Sequence, residues 1–176
     1  MALKGEKLWD ELEGVKDELK EVVEISFGGV VGEVTVVFRD LDEIQEVFDE
    51  YRNNLPPKPT IEVEIDGKPQ KIEVPNENET YKAFNEHPKA KPKIKKWQEK
   101  CKPFEKDRIY RSAYLFIAED ERPSEDIEEG IEILKDCLPY VDAVKITNKG
   151  MSFNNMGERL GKQEEGSLQM TIPQED

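Results

Sequence analysis

The chain of 176 residues carries a formal net charge of −14, and 38% of its residues are charged against 36% hydrophobic. That length suits one domain with a real apolar core, while the acidity argues against nucleic acid or an anionic membrane as partner, since phosphates are repelled at long range. No apolar run approaches a membrane span, and Met1, Ala2, Leu3, Lys4, Gly5 and Glu6 do not open a signal peptide, so a cytoplasmic protein is expected.

Over residues 5–21, Leu8, Leu12, Val15 and Leu19 share a helical face with Trp9 beside Leu8, which predicts an amphipathic N-terminal helix. Trp9, Leu12 and Leu19 are its candidate partner contacts, and docking on its own domain is the competing use of that face. From 22 to 38 the period changes to two: Val23, Ile25 and Phe27, then Val34, Val36 and Phe38, flank Gly28 and Gly29, the pattern of a β-hairpin. These glycines serve turn geometry, because no GxGxxG and no Lys-Ser or Lys-Thr pair accompanies them.

Asp40 and Glu43 have capping-box spacing for a helix over 41–52 that buries Leu41, Ile44, Val47, Phe48 and Tyr51. Leu55, Pro56, Pro57, Lys58 and Pro59 end it and stiffen a crossing. Ile61, Val63 and Ile65, the turn Asp66-Gly67, and Ile72 with Val74 predict a second hairpin over 60–74. Asn76 and Glu79 have the spacing to cap a short helix holding Tyr81 and Phe84.

Between 87 and 111 lysines dominate locally, with Trp97 and Phe104 interleaved. Alternating Lys-Pro predicts a solvated linker; pairing with acidic faces of sister subunits and stacking of nucleic acid on Trp97 are the competing readings. Ile109, Ala113, Phe116 and Ile117 then predict a helix, and Ile127, Ile131, Leu134 and Leu138 a second one capped by Ser124. The pair meets at Glu121, Arg122, Pro123 and Ser124, and is the expected core. Val141 and Val144, on a short helix over 140–146, would close over it.

Past Asn148 the apolar content falls, which predicts a flexible, disordered tail over 148–176. Leu168, Met170 and Ile172 alternate within it and are candidates for adding as a strand to a partner's sheet. The fold class is therefore α+β: two β-hairpins forming a small antiparallel sheet, packed against a helical hairpin and flanking helices in a single domain over 1–147.

Catalytic residues are not found. The single histidine, His87, sits in a polar stretch, and neither Cys101 nor Cys137 has metal-ligand spacing, so the thiols read as reduced and structural. No cofactor or metal is implied, and a non-enzymatic protein is expected.

The order of parts carries a resemblance over residues 22–146: paired strands, Phe38-Arg39-Asp40-Leu41-Asp42-Glu43-Ile44, Leu55-Pro56-Pro57-Lys58-Pro59, a hairpin, a charged middle, then Arg122-Pro123-Ser124-Glu125 with Glu128-Glu129-Gly130. In this the chain resembles the small tail assembly chaperones of siphophages and prophages of Gram-positive bacteria. The resemblance implies a homo-oligomer that binds an amphipathic protein client, a tape measure or tail tube protein, in the host cytoplasm. Trp97 joins Trp9, Leu12, Leu19, Leu168, Met170 and Ile172 as a candidate contact. The alternative is an acidic monomeric adaptor or inhibitor that engages a basic partner through Glu62, Glu64 and Glu73.

Overall fold

The computed structural model describes Gly14 and residues 19–158. In chain order it contains the antiparallel strands β1 (Lys20–Phe27) and β2 (Val30–Val37), helix α1 (Leu41–Asn54), and the antiparallel strands β3 (Thr60–Ile65) and β4 (Lys68–Glu73). A 3₁₀ helix (Lys82–Glu86), helix α2 (Lys91–Phe116), a 3₁₀ helix (Glu119–Glu121), α3 (Ile127–Cys137) and α4 (Tyr140–Glu158) complete it. The α+β class is as the sequence predicts.

Both hairpins turn on pairs of residues at positive φ, Gly28 and Gly29 (60° and 84°) and Asp66 and Gly67 (54° and 72°). This twist suits tight hairpins. The hairpins do not join, however, and each remains a separate two-stranded sheet. The reason is that each covers a different apolar cluster.

The larger cluster gathers Val36 and Ile44, the C-terminal half of α2 (Ile109, Tyr110, Ala113, Tyr114, Phe116), and Ile131, Ile146 and Phe153. Glycines let the helices close on it: a Cβ at Gly130 would overlap the ring of Tyr114, and one at Gly150 the ring of Phe116. Its buried Tyr110, Thr147 and Asp142 are paired, as that environment demands, whereas Arg108 Nε and Asn154 Nδ2 are buried without a hydrogen-bond partner among the described residues. The Tyr110 hydroxyl donates to the carbonyl of Leu138 at 2.8 Å, and the Thr147 hydroxyl to that of Ile109 at 3.2 Å. Asp142 is buried in the first turn of α4, where its carboxylate accepts from the Ser26 N–H and from Lys145 Nζ.

The smaller cluster consists of Ile61, Val63, Ile72, Val74 and Ala90, with Tyr81, Phe84 and Ile94 packed against them. Helix α2 thus contributes to both. The lysine-rich stretch is the main departure from expectation, being helix rather than linker. Pro92 stands in the first turn, where no N–H is required, and Pro103 removes only one internal donor. Ala90, Ile94, Trp97 and Cys101, at intervals of four, three and four, supply the buried side.

An ion network clasps α2 to α3. Arg111 donates to Asp107 at 2.8 Å and, two-pronged, to Glu128 at 2.7 and 3.0 Å, while Lys135 reaches Asp107 at 2.6 Å. Burial alone would raise the Asp107 pKa, but the hydrogen bonds from Lys135 and Arg111 prevail and hold it below its usual range. Arg108 lies over the rings of Phe48 and Tyr51, 4.8 and 4.9 Å from their centroids, and so joins α1 to α2.

Several local expectations are corrected. The tail expected from residue 148 is helical as far as Glu158, because Phe153 and the close approach of Gly150 to Phe116 anchor α4 to the main core. Residues 159–176, with Leu168, Met170 and Ile172, lie outside the described residues, as do Trp9 and Leu12. Gly14 is helical, while Lys20 and Glu21, which the sequence pattern assigns to the N-terminal helix, belong to β1, where they pair with Val37 and Val36. The cap of α3 is Asp126, whose carboxylate accepts from the Glu129 N–H at 2.9 Å; Ser124 lies too far upstream and bonds to the Glu129 side chain instead. Ile127, Val141 and Leu41 are exposed, each at the start of its helix and beyond the edge of the packed face. The first 3₁₀ helix has Tyr81 at its N-cap position and no side-chain cap; upstream of it Asn76 Oδ1 accepts from the Asn78 N–H and Asn78 Oδ1 from the Thr80 N–H, turns that lead into the helix rather than the expected cap.

Candidate partner-binding cleft

Prolines at 56, 57 and 59 leave the crossing from α1 to β3 with carbonyl oxygens and few donors of its own. The fold supplies donors from elsewhere. Trp97 Nε1 donates to the Pro56 carbonyl at 2.8 Å, the Val74 N–H to that of Pro59 at 2.8 Å, and Lys93 Nζ to that of Thr60 at 2.8 Å. The proline segment is thereby fastened along the N-terminal half of α2, and an open cleft of about 250 Å³ remains between them.

Pro56, Pro57, Pro59 and Trp97 line the cleft together with Lys93, Lys96 and Lys100. Positions 93, 96, 97 and 100 fall on one side of a helix, so the indole and the three ammonium groups arise from one stripe of α2. Lys93 also lines a second hollow of about 520 Å³ against β3 and β4, with Thr60, Glu62, Lys71, Lys89 and Pro92. Lys96 and Lys100 are exposed and have no ion pair among the described residues. Chemically the surface offers an apolar, rigid floor with a cationic rim.

Of the sequence-derived candidates, Trp97 lies in this cleft. Leu19 packs instead beside the main core, its carbonyl accepting from the Phe38 N–H at 2.9 Å. The prolines and the lysines at 93, 96 and 100 were not singled out from sequence as contacts. The available signal was the apolar spacing of Ala90, Ile94, Trp97 and Cys101, which turns the lysines into one helical stripe. Cys101 is buried and its thiol pKa is pushed up, first by burial and then by Glu105. Cys137 is exposed, and both thiols are free. His87 is half-buried, and its Nδ1 accepts from the Lys89 N–H at 3.1 Å.

Among the described residues no three His, Cys, Asp or Glu side chains group as a metal site, and no helix is long and apolar enough to cross a membrane. Compared with known proteins, the chain matches no family model, no curated protein and no solved structure.

Proposed function

We propose that this chain is a non-enzymatic interaction protein of the tail assembly chaperone kind, which self-associates and holds an amphipathic client such as a tape measure protein in the cytoplasm. The observation that carries the reading is the Trp97 cleft: a tryptophan and three prolines give an apolar seat, and Lys93, Lys96 and Lys100 select a client with acids beside its apolar stripe. An apolar floor and a rim on which Lys96 and Lys100 have no ion pair among the described residues are what a helix laid into a groove requires.

The test is a titration of the full chain, carrying Trp9→Phe so that Trp97 reports alone, with a synthetic amphipathic helix bearing leucines flanked by glutamates. Binding is expected to shift the Trp97 emission and to weaken at least tenfold in the pair Lys96→Glu, Lys100→Glu. Light scattering coupled to gel filtration then reads the mass at low and high salt. A monomer at every salt and concentration, with no response to the peptide, overturns the reading.

A second reading, the acidic adaptor, is favoured by the outer face of the second hairpin. Glu62, Glu64 and Glu73 are exposed there, and Lys71 approaches Glu62 at 3.8 Å. Binding of a lysine-rich peptide that is lost on changing all three to glutamine would support that role.

A further inference from the structure

The outer edge of β2 is partly taken by the chain itself, and the part taken shows how the rest is aimed. The Thr35 carbonyl accepts from the Ala118 N–H at 3.0 Å, and the Thr35 N–H donates to Glu121 Oε2 at 2.6 Å. Val36 and Ile117 form an antiparallel bridge, so residues 117 and 118 are a stub of a third strand. In an antiparallel pair alternate residues turn their backbone groups away from the partner strand. Thr35 faces outward, and so therefore do Glu33 and Val31, two and four positions earlier. These have no further partner among the described residues.

The side chains on that register lie on the face turned from the main core. Val31 pairs with Ser26, Glu33 with Glu24, and Thr35 with Val22. Val22 and Val31 are 55% and 63% exposed, and Val30 beside the turn is 73% exposed. Between them two carboxylates stand directly opposed, an arrangement that destabilises a hairpin by itself. The other hairpin is guarded. On β4 the corresponding outward positions hold Pro69, which has no N–H to offer, and Lys71, the usual protections of an edge. The edge of β2 from Val31 to Glu33 has neither.

We propose that this edge is a strand-addition site for an extended protein segment in which β-branched apolar residues alternate with lysine or arginine. The segment continues the sheet begun by Ile117 and Ala118. Its basic side chains, all on the outer face, lie beside Glu33 and Glu24 and relieve the opposed carboxylates, while its apolar ones fall on the opposite face, which carries Val30 and Val34. A second copy fits poorly, because pairing β2 with β2 brings further acids to the same place. The chain's own residues 168–172 alternate Leu168, Met170 and Ile172 without a basic residue. The inference uses none of the residues of the Trp97 cleft, so the two stand or fall separately.

The test is amide exchange, read by NMR on the full chain, with the synthetic peptide Thr-Lys-Val-Lys-Val-Lys-Thr as probe. At saturation the amides of Val31 and Glu33 are expected to slow at least tenfold, while those of Gly32 and Val34, which face β1, stay as they were. Glu33→Lys is expected to weaken the peptide at least tenfold. Val31→Pro, which removes an N–H that β1 does not use, should abolish binding and leave the β1 amides protected. Uniform or absent protection overturns the proposal, as does undiminished binding by Glu33→Lys. Protection of Val31 and Glu33 without peptide also overturns it: dependence on protein concentration would identify a second copy as the occupant, and loss on removing residues 159–176 the chain's own end.

Discussion

Along α2 the C-terminal half presents Ile109, Tyr110, Ala113, Tyr114 and Phe116 to a core closed by β1, β2 and three other helices, whereas the N-terminal half presents Ala90 and Ile94 to one closed by a single hairpin and a 3₁₀ helix. The first buries large aromatic residues completely; the second relies on small and β-branched ones. A lone hairpin is marginal in water and needs a packed partner, so the second hairpin owes its stability to the extra turns of α2. The difference teaches where a binding surface can be built. The Trp97 cleft sits on the smaller of the two units, in keeping with the tendency of ligand-binding elements to come from the less stable parts of a fold.

The comparison is broken most severely from the larger side. Phe116→Ala is expected to destabilise the whole chain by about 3–5 kcal/mol, through lost burial and the cavity left behind. Gly150→Ala, which presses on the same ring from α4, is expected to cost about 1–3 kcal/mol. Urea unfolding followed by circular dichroism measures both. If either loosened only the second hairpin, the two-core description would fail.

Ile61→Ala strikes the smaller core and is expected to cost about 2 kcal/mol, the low end for such a truncation. Its signature is local. Amides of β3 and β4 should exchange faster while those of residues 109–116 keep their protection, and a uniform acceleration would mean that the cores unfold as one.

Asp107→Asn tests the clasp of the larger unit, with an expected loss of about 1 kcal/mol at neutral pH, kept small because the carboxylate is partly exposed and screened. The carboxyl is held below its ordinary value of 3.8, so the unfolded state takes up its proton more readily. Its stabilisation is present above that value and disappears as pH falls through the lower, folded one. Glu128, beside Arg111, and Glu121, accepting from the Thr35 N–H, are depressed in the same sense from 4.5. Acid unfolding should therefore set in below about pH 4.5, and Asp107→Asn should make the loss of stability on acidification shallower.

Lys96→Ala should change stability by less than about 0.5 kcal/mol, as for an exposed side chain without partners. It is nonetheless expected to weaken binding of the acidic amphipathic peptide several-fold. Unaltered affinity would separate the cleft from the client.

Much of this division was legible in the sequence. Alternation around Gly28-Gly29 and Asp66-Gly67 gave both hairpins, and Ile131, Leu134 and Leu138 gave the buried side of α3 with Leu138 as its closing residue. The N-terminal half of α2 was obscured because lysines and prolines crowd around the apolar spacing of Ala90, Ile94, Trp97 and Cys101. The end of α4 was hidden for the opposite reason: among Asn148, Lys149, Gly150, Asn154 and Asn155 little but Met151 and Phe153 signals burial, and the fit of Gly150 to Phe116 is a contact that local pattern does not encode. Trp97 was legible as a candidate. Its partnership with Pro56, 41 positions away, was not, since the prolines by themselves signal only a stiff crossing.

The route of the chain through its two clusters sets an order of events during synthesis. The residues of the smaller cluster are drawn from 61–94, one unbroken stretch, whereas the larger draws on Leu19 at one end and Phe153 at the other. As the polypeptide leaves the ribosome, the second hairpin can close on the first turns of α2 while α3 and α4 are still unmade. The first hairpin emerges earlier but waits longest for its cover, with the apolar inner side of Val23, Ile25 and Val34 open to whatever is nearby. Translation speed through residues 95–153 is thus a variable to which the yield of correctly assembled protein should respond.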